Sequence, residues 1–226
     1  MLRVSHIVNS VFTSRTYVLA KEGEDGCWIV DCGDVEPLLA RLAALGGDGF
    51  PVRGVLLTHA HYDHIYGLPR LAELFPEAPI YTNAAGRQAL ADPRANMSKY
   101  HDDPIAFASD RVVVCDEGAR IALFPGVDAR VYATPGHHPS CLAYEAGGYL
   151  FTGDAYIPGV PVVTSLPGAD KALAAASRER ILSLLAGPSA AAAGSGPSGT
   201  PALIIAPGHE VPGLPEGIVH PGSSRV

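Results

Sequence analysis

The sequence of 226 residues predicts an α/β protein, and two patterns carry that prediction. Short apolar runs rich in Val, Ile, Leu and Tyr recur along the chain with Gly-containing turns between them, which is typical of strands. After several of these runs the apolar spacing changes to that of a helix, so strands alternate with helices. Hydrophobic residues make up 47% and charged residues 17%, which favours a folded chain over a disordered one.

The first half predicts five strands and three helices. The strands are expected over 3–8, 16–20, 27–30, 52–57 and 80–82. The helix over 34–45 carries leucines at helical spacing and is closed by Gly46. A second helix over 68–75 has apolar residues at i, i+3, i+4 and i+7, and a third covers 84–91.

The second half of the sequence predicts a similar set of strands and helices. The whole chain, 1–226, is expected to form one domain. No clear period covers 92–110, which is expected to be a loop or lid, and the strands follow at 111–115, 120–124, 129–133, 141–145, 149–152 and 202–206. A helix over 170–185 carries Leu173, Ile181, Leu184 and Leu185 on one face. The segment 187–201 has the composition of a flexible loop, and 211–226 that of an irregular tail.

Charge and cysteine content exclude several classes of protein. With 16 Lys+Arg against 23 Asp+Glu, the net charge of -7 disfavours nucleic acid as a partner. The four cysteines form no C-x-x-C pair, which indicates free thiols in a reducing compartment. Neither a secretory signal nor a membrane-spanning run is present, so we expect a cytoplasmic protein with a small-molecule substrate. The sequence leaves monomer and homodimer open.

The densest group of metal-ligating residue types follows the predicted strand 52–57. Three histidines and one aspartate fall within six residues there, namely His59, His61, Asp63 and His64. Imidazole nitrogen and carboxylate oxygen are the ligands that Zn(II) prefers, and they also suit Fe(II) and Mn(II). The alternative, a polar turn capped by Asp63, would leave three clustered imidazoles without a role. The run therefore predicts a metal site.

Three further strand ends carry candidate ligands. His137 and His209 each end a Pro-Gly-His run after a predicted strand, and Asp154 follows a strand and a glycine. Each residue alone is more typical of a turn than of a ligand. Together with the run at 59–64 they indicate that four strand ends supply ligands to one site.

The order H-x-H-x-D-H, P-G-H, G-D and P-G-H resembles that of the metallo-β-lactamase superfamily. The resemblance extends from Asp31-Cys-Gly33, which is similar to the family's early D-x-G turn, to His209. It implies an αβ/βα sandwich of four layers, in which two mixed β-sheets lie face to face, flanked by helices, with a metal site at the rim. The strands and helices above agree with that architecture but do not by themselves predict it.

The resemblance also implies a ligand set for two metal ions, which are Zn(II) in the commonest members, with Fe or Mn as alternatives. It places His59, His61 and His137 on one ion, Asp63, His64 and His209 on the second, and Asp154 between them. In the two-zinc members a hydroxide bridges the ions, because a dication lowers the pKa of bound water from about 15.7 towards about 7. Asp63 and Asp154 are included among the expected catalytic residues.

Two other residues are candidates for catalysis. His138 follows the ligand position His137 and would contact substrate or hydrogen-bond a ligand, unless it is an exposed turn residue. Tyr156 is similar to the tyrosine near the metals of lactonase-like members, where a phenol donates to the developing oxyanion, although its offset from Asp154 also suits a core or rim tyrosine. Cys141 is expected to be a strand residue, since activated water needs no cysteine nucleophile.

The stretch 91–99 is similar to hydroxyacylglutathione hydrolases of the glyoxalase II type. We therefore predict a dinuclear zinc hydrolase of a small carbonyl ester, thioester or lactone, with the loops 92–110 and 156–165 as substrate walls. Zinc β-lactamases with cysteine at the position of Asp154 are disfavoured.

Other functions stay open at this level. Persulfide dioxygenases look similar at the same motifs and bind one iron, for which His59, His137 and Asp154 would form a facial triad. A phosphodiesterase of the same superfamily and a metal-binding scaffold without activity are further alternatives. A nuclease is disfavoured by the acidic balance.

Overall fold

The computed structural model describes residues 1–186 and 203–210, which form eleven strands and five α-helices. The strands are β1 (Leu2–Val8), β2 (Arg15–Lys21), β3 (Cys27–Val30), β4 (Val52–Leu56), β5 (Ile80–Thr82), β6 (Val112–Val114), β7 (Arg120–Phe124), β8 (Val127–Ala133), β9 (Leu142–Ala146), β10 (Tyr149–Gly153) and β11 (Ile204–Pro207). The helices are α1 (Val35–Gly46), α2 (Tyr62–Ile65), α3 (Leu68–Leu74), α4 (Ala84–Ala91) and α5 (Lys171–Ala186).

The strands form two mixed sheets. The first has the order β1-β2-β3-β4-β5-β6, antiparallel from β1 to β3 and parallel from β3 to β6. The second has the order β11-β10-β9-β8-β7 and is antiparallel except for the parallel pair β10 and β11. The predicted fold class, two mixed sheets flanked by helices, is confirmed.

Three buried clusters separate four layers. Alternation along a strand sends Trp28 and Val30 of β3 into the core between the sheets, while Cys27 and Ile29 face the helices α1, α3 and α4. On the outer face of the second sheet, Ile181 of α5 packs in a third cluster with residues of β8, β9 and β10. Helices therefore cover the outer face of both sheets.

The buried face of α5 agrees with the predicted one at Ile181, Leu184 and Leu185, which pack in the third cluster, but differs at the start of the helix. Leu173 is 48% exposed, whereas Ala174, Ser177 and Ile181 are buried. The close approach of Ala174 to the backbone of Gly136 fixes the rotation of the helix, and the Ser177 hydroxyl donates to Pro135 O at 2.6 Å. Small residues therefore face the sheet near the start of α5, where the sequence pattern alone favours leucine.

Two predicted segments, the flexible loop at 187–201 and the irregular tail at 211–226, lie outside the described residues. The predicted loop at 92–110 contains a short 3-10 helix, Ser98–Tyr100. Among the helices of the described residues, none combines the length and apolar character needed to cross a bilayer.

Candidate metal centre

The candidate ligands come together where strands of both sheets end. His59 follows β4, His137 follows β8, Asp154 follows β10 and His209 follows β11. A backbone hydrogen bond of 2.7 Å from Leu142 N to Thr58 O joins the two sheets at this rim. This main-chain contact holds the two sheets together at the rim, next to the residues that carry the candidate ligands.

The helix α2 completes the cluster from β4. The sequence predicts only a polar turn here, but one helical turn begins after His61, and the His64 N–H donates to His61 O at 3.0 Å. This turn brings Asp63 and His64 back towards His59, whose ring centroid lies 4.2 Å from that of His64.

Three histidines form the first group of potential ligands. One ligand atom each from His59, His61 and His137 lies within 4.8 Å of the others, and all three side chains are buried. His61 Nδ1 and His137 Nε2 are 2.9 Å apart. These are the residues that the sequence assigns to the first metal ion.

The second group consists of Asp63, His64 and His209, again with ligand atoms within 4.8 Å of one another. His209 Nε2 lies 3.3 Å from His64 Nε2 and 3.2 Å from Asp63 Oδ2. The Asp154 carboxylate lies between the groups, because its Oδ2 is 3.6 Å from His137 Nε2 and 3.2 Å from His209 Nε2.

Oxygen acceptors outside the cluster orient three of the rings. Nδ1 of His64 lies 2.8 Å from Asp31 Oδ2, that of His137 lies 2.9 Å from Val163 O, and that of His209 lies 2.8 Å from Phe12 O. Because Nδ1–H donates to these oxygens, the lone pair of Nε2 is directed into the cluster. This is the usual arrangement around metal-binding imidazoles.

The donor atoms fit divalent metal ions. Within the part of the chain that the structure describes, Nε2 of His59, which faces the cluster, is buried without a hydrogen-bond partner. Unpaired buried polar atoms are costly, and a metal ion would satisfy lone pairs directed into a cluster of imidazoles and carboxylates. The cluster can therefore hold divalent metal.

The pKa shifts of His59, His61 and Asp154 agree with that use. Burial, together with the neighbouring His137, lowers the pKa of His61 to about 3, and burial lowers the pKa of His59 well below its usual value. Burial alone would raise the pKa of Asp154, but the neighbouring His64 holds that pKa well below its usual range. Neutral imidazole and ionised carboxylate are the forms that bind metal. For His64 and His209, burial works to lower the pKa, but the neighbouring carboxylates raise the pKa of His64 well above its usual value and that of His209 to about 9, so both rings would release a proton when metal binds.

Asp31 is a site residue for which the sequence analysis predicts no role. Its left-handed backbone, at φ 57°, and its buried carboxylate are held by Thr58, whose N–H donates at 2.7 Å and whose hydroxyl donates at 2.6 Å. The same carboxylate accepts from His64. Its place in the Asp31-Cys-Gly33 turn was the only signal that could have indicated it.

His138 and Tyr156 lie away from the cluster's open side. His138 is buried, not an exposed turn residue, and its Nδ1 contacts the Ser140 hydroxyl at 2.6 Å while its ring lies 4.7 Å from that of His61. Tyr156 packs against the hydrophobic cluster under α5, and the Arg178 guanidinium lies 5.9 Å from its ring. The structure thus places His138 beside a ligand and gives Tyr156 the surroundings of a core or rim tyrosine.

A cavity of about 390 Å³ opens beside the cluster and includes Asp63 and Asp154 in its lining. Both loops expected to border the substrate contribute to it, with Met97 and His101 from one and Val163 from the other. The predicted metal-ligating residues therefore face a space large enough for a small organic molecule.

Known proteins resemble this chain in sequence and in fold. A family model described as the metallo-beta-lactamase superfamily matches residues 10–194. The hydroxyacylglutathione hydrolase of Aeromonas hydrophila subsp. hydrophila is 34% identical over 138 residues, which are 61% of this chain and 45% of that protein. The chain spans about half the length of the curated relatives that it matches.

Two solved structures are similar over nearly the whole chain. The B3 metallo-beta-lactamase BLEG-1 is 26% identical with a TM-score of 0.75, and 92% of each chain is covered. TTHA1623, whose crystal structure is in a di-iron-bound form, is 27% identical with a TM-score of 0.71 and the same coverage.

Proposed function

The chain belongs to the metallo-beta-lactamase superfamily, and from this we propose that it is a dinuclear zinc hydrolase of a small ester, thioester or lactone. The observation that carries the proposal is the pair of ligand groups that share Asp154 at the floor of one cavity. The similarity to hydroxyacylglutathione hydrolases supports hydrolysis, with a thioester as the first substrate class to test.

In this proposal His59, His61 and His137 hold one ion, and Asp63, His64 and His209 hold the other. Asp154 contributes to both. Bound divalent ions would lower the pKa of water and polarise the carbonyl oxygen of the substrate. No serine or cysteine nucleophile is then needed, in agreement with the burial of Cys141.

The chain's own carboxylates provide the proton transfer. Asp63 and Asp154 both line the cavity, so either carboxylate is placed to accept the proton of the attacking water. Water adds its oxygen to the carbonyl carbon, the bond from that carbon to the ester oxygen or thioester sulfur breaks, and the leaving group takes the proton. In this proposal His138, which contacts Ser140 and lies beside the ring of His61, helps to hold His61 in position.

Elemental analysis and an activity panel test the proposal together. We expect two zinc ions per chain in the purified protein and hydrolysis of simple thioesters that is lost on treatment with a chelator and regained with Zn(II). A protein that contains two zinc ions but cleaves no thioester, ester or lactone would contradict the hydrolase proposal.

The alternative is an iron enzyme. A structural neighbour whose crystal structure is in a di-iron-bound form supports iron as the bound metal. One iron per chain and oxygen consumption with a persulfide would support this alternative over the zinc hydrolase.

A further inference from the structure

Beyond the metal-ligating residues, the cavity is lined by apolar and aromatic side chains. Those that matter here are Phe12, Tyr62, Met97, Tyr100, His101 and Val163. Phe12 and Tyr100 are 66% and 64% exposed, although large aromatic rings are usually covered in a folded chain. A group of exposed aromatic rings beside a candidate active site is typical of a ligand-binding surface.

The aromatic side chains form one continuous wall. The rings of Tyr62 and His101 are stacked, with centroids 3.8 Å apart and an interplanar angle of 16°. Tyr66 stacks against Tyr62 at 5.5 Å, and Phe12 meets the edge of His101 at 6.1 Å. The wall joins α2, the β1–β2 loop and the loop after α4, three segments that are far apart in the sequence.

Two residues of this lining have a backbone conformation that costs free energy. Phe12 and Met97 lie in the left-handed region, at φ 53° and 68°, where the side chain of a non-glycine residue is sterically strained. The carbonyl of Phe12 accepts the hydrogen bond from His209 Nδ1, so the same backbone orients a metal-ligating ring and projects an aromatic ring over the cavity.

The loop that carries Met97 is braced and not free to open. The Asn96 amide donates to Ile105 O at 2.9 Å, and Ile105 N–H donates to the Ser98 hydroxyl at 2.8 Å. Both polar side chains are buried. These buried contacts hold the backbone on either side of Met97 in place, which lowers the entropic cost of ordering this loop on binding.

The charge of the lining selects against anionic substrates. Among the described residues that line this cavity and the smaller one adjoining it, there is no lysine or arginine, and Glu210 is the acidic residue that the proposed function does not place on a metal ion. The ammonium of Lys99 lies over the Tyr100 ring at 4.6 Å, without Lys99 itself lining the cavity. A carboxylate at the far end of the acyl group, away from the metal-ligating residues, would thus meet apolar side chains and Glu210 and no basic side chain.

We propose that the wall formed by Phe12, Tyr62 and His101 binds the acyl group of the substrate, and that this group is apolar or aromatic and uncharged. The proposal rests on the proposed hydrolase function and names its substrate class: an ester or thioester of a hydrophobic carboxylic acid, with no anionic group on the acyl chain. The carbonyl would lie at the cluster, with the apolar part against the wall.

The test varies the acyl group while the leaving group is constant. Thioesters of 2-mercaptoethanol with acetyl, hexanoyl, 3-phenylpropanoyl and succinyl groups are compared by thiol release. Since burial of each methylene contributes about 0.8 kcal/mol, or roughly fourfold, we expect kcat/KM for 3-phenylpropanoyl to exceed that for acetyl at least thirtyfold, and succinyl to be the poorest substrate of its size. Phe12→Ala and His101→Ala should each lower the ratio of 3-phenylpropanoyl to acetyl about tenfold, mainly through KM.

Leu45→Ala on α1, at a residue 40% exposed, is the matched control and should leave the ratio unchanged. The melting temperature of each variant is measured alongside. If Phe12→Ala lowers the melting temperature and leaves the ratio unchanged, the ring is a packing residue and the proposal is wrong. A preference for succinyl over hexanoyl would also overturn it.

A binding measurement separates this proposal from the hydrolase function. The ketone 4-phenyl-2-butanone has the 3-phenylpropanoyl group but no bond to hydrolyse, and butanone is its small counterpart. Suppose that no thioester is cleaved, that the phenyl ketone binds at least tenfold more tightly than butanone, and that Phe12→Ala removes the difference. The hydrolase proposal is then wrong, while the proposal that the wall binds an apolar group is supported. Equal binding of the two ketones would refute the proposal that the aromatic wall binds an apolar group.

Discussion

At the scale of single residues, the direction of each imidazole lone pair decides whether the cluster can hold metal. His64, His137 and His209 each give Nδ1–H to a fixed oxygen, so Nε2 faces inward. Two of those oxygens are main-chain carbonyls, and the third belongs to Asp31. The sequence shows the histidines but not these acceptors.

Asp154→Asn should remove most activity and weaken both metal positions. The carboxylate contacts both groups, and an amide offers one neutral oxygen in place of two charged ones. Metal content after dialysis and thioester turnover measure the effect. Cys141→Ser is the control, which should keep turnover per folded protein within a few-fold because Cys141 is buried outside the cluster. Full activity in Asp154→Asn would refute the proposal that both ligand groups share Asp154.

Asp31→Asn should weaken metal binding without changing any ligand. The Asp31 carboxylate accepts from Thr58 N–H at Oδ1 and from the Thr58 hydroxyl and His64 Nδ1–H at Oδ2. An amide has one acceptor oxygen in place of these two, so the side chain can no longer hold both Thr58 and His64, and the orientation of His64 is weakened. Loss of such an orienting acceptor typically costs about 10–100-fold in metal affinity. Competition with a chromophoric chelator measures it, and exposed Asp128→Asn is the comparison variant. Equal affinity of the two variants would show that Asp31 has no orienting role.

At the scale of elements, α1 is joined to the β1–β2 loop through its N-cap residue. The Asp34 carboxylate accepts from Ser10 N–H at 2.7 Å and from the Tyr66 hydroxyl at 2.6 Å. Partial burial works to raise the pKa of Asp34, but these hydrogen bonds hold that pKa below its usual value. The loop that carries Phe12 therefore depends on an ionised carboxylate.

This hydrogen bonding gives a pH-dependent contribution to stability. Because the folded-state pKa of Asp34 lies below its unfolded value, the contribution is present above the unfolded pKa of about 3.9 and is lost as the pH falls through the folded pKa. Asp34→Asn should lower the free energy of unfolding by about 1 kcal/mol at pH 7, and by less at pH 3. Urea unfolding at both pH values tests this. The same difference at both would contradict a role for the charge.

At the scale of the whole molecule, the two sheets bring distant parts of the chain to one rim. His59 belongs to the first sheet, while His137, Asp154 and His209 follow strands of the second. Tyr17 of β2 supports the same junction by donating its hydroxyl to Pro207 O at 2.6 Å. Bound metal would therefore connect both halves of the sandwich and stabilise the folded state.

Removal of metal should lower the melting temperature. A ligand present at about a thousandfold its Kd stabilises by about 4 kcal/mol, which in a chain of this size corresponds to roughly 10 °C. Differential scanning fluorimetry with and without chelator measures the change, and added Zn(II) should reverse it. Asp154→Asn should respond less to the chelator. An unchanged melting temperature in the wild-type protein would mean that the cluster does not hold metal across the junction.

The sequence by itself determined the α/β class, most strand and helix positions and the cluster of candidate ligands. These features depend on local information: apolar period, turn residues and the density of histidine and aspartate at strand ends. The helix α2 was not predicted, because a single helical turn has too few residues to show a period. At the start of α5 the buried residue is Ala174 and not the predicted Leu173, because Ala174 lies against the backbone of Gly136.

Only the tertiary structure decided how the candidate ligands are oriented and what surrounds them. The acceptors Asp31, Phe12 O and Val163 O and the aromatic wall of Phe12, Tyr62 and His101 come from segments separated by tens of residues. A main-chain carbonyl has no signature in the sequence, and the stacking of two rings depends on the packing of loops against the sheet. For the same reason, the surroundings of Tyr156 follow from the docking of α5 and not from its distance to Asp154 in the chain.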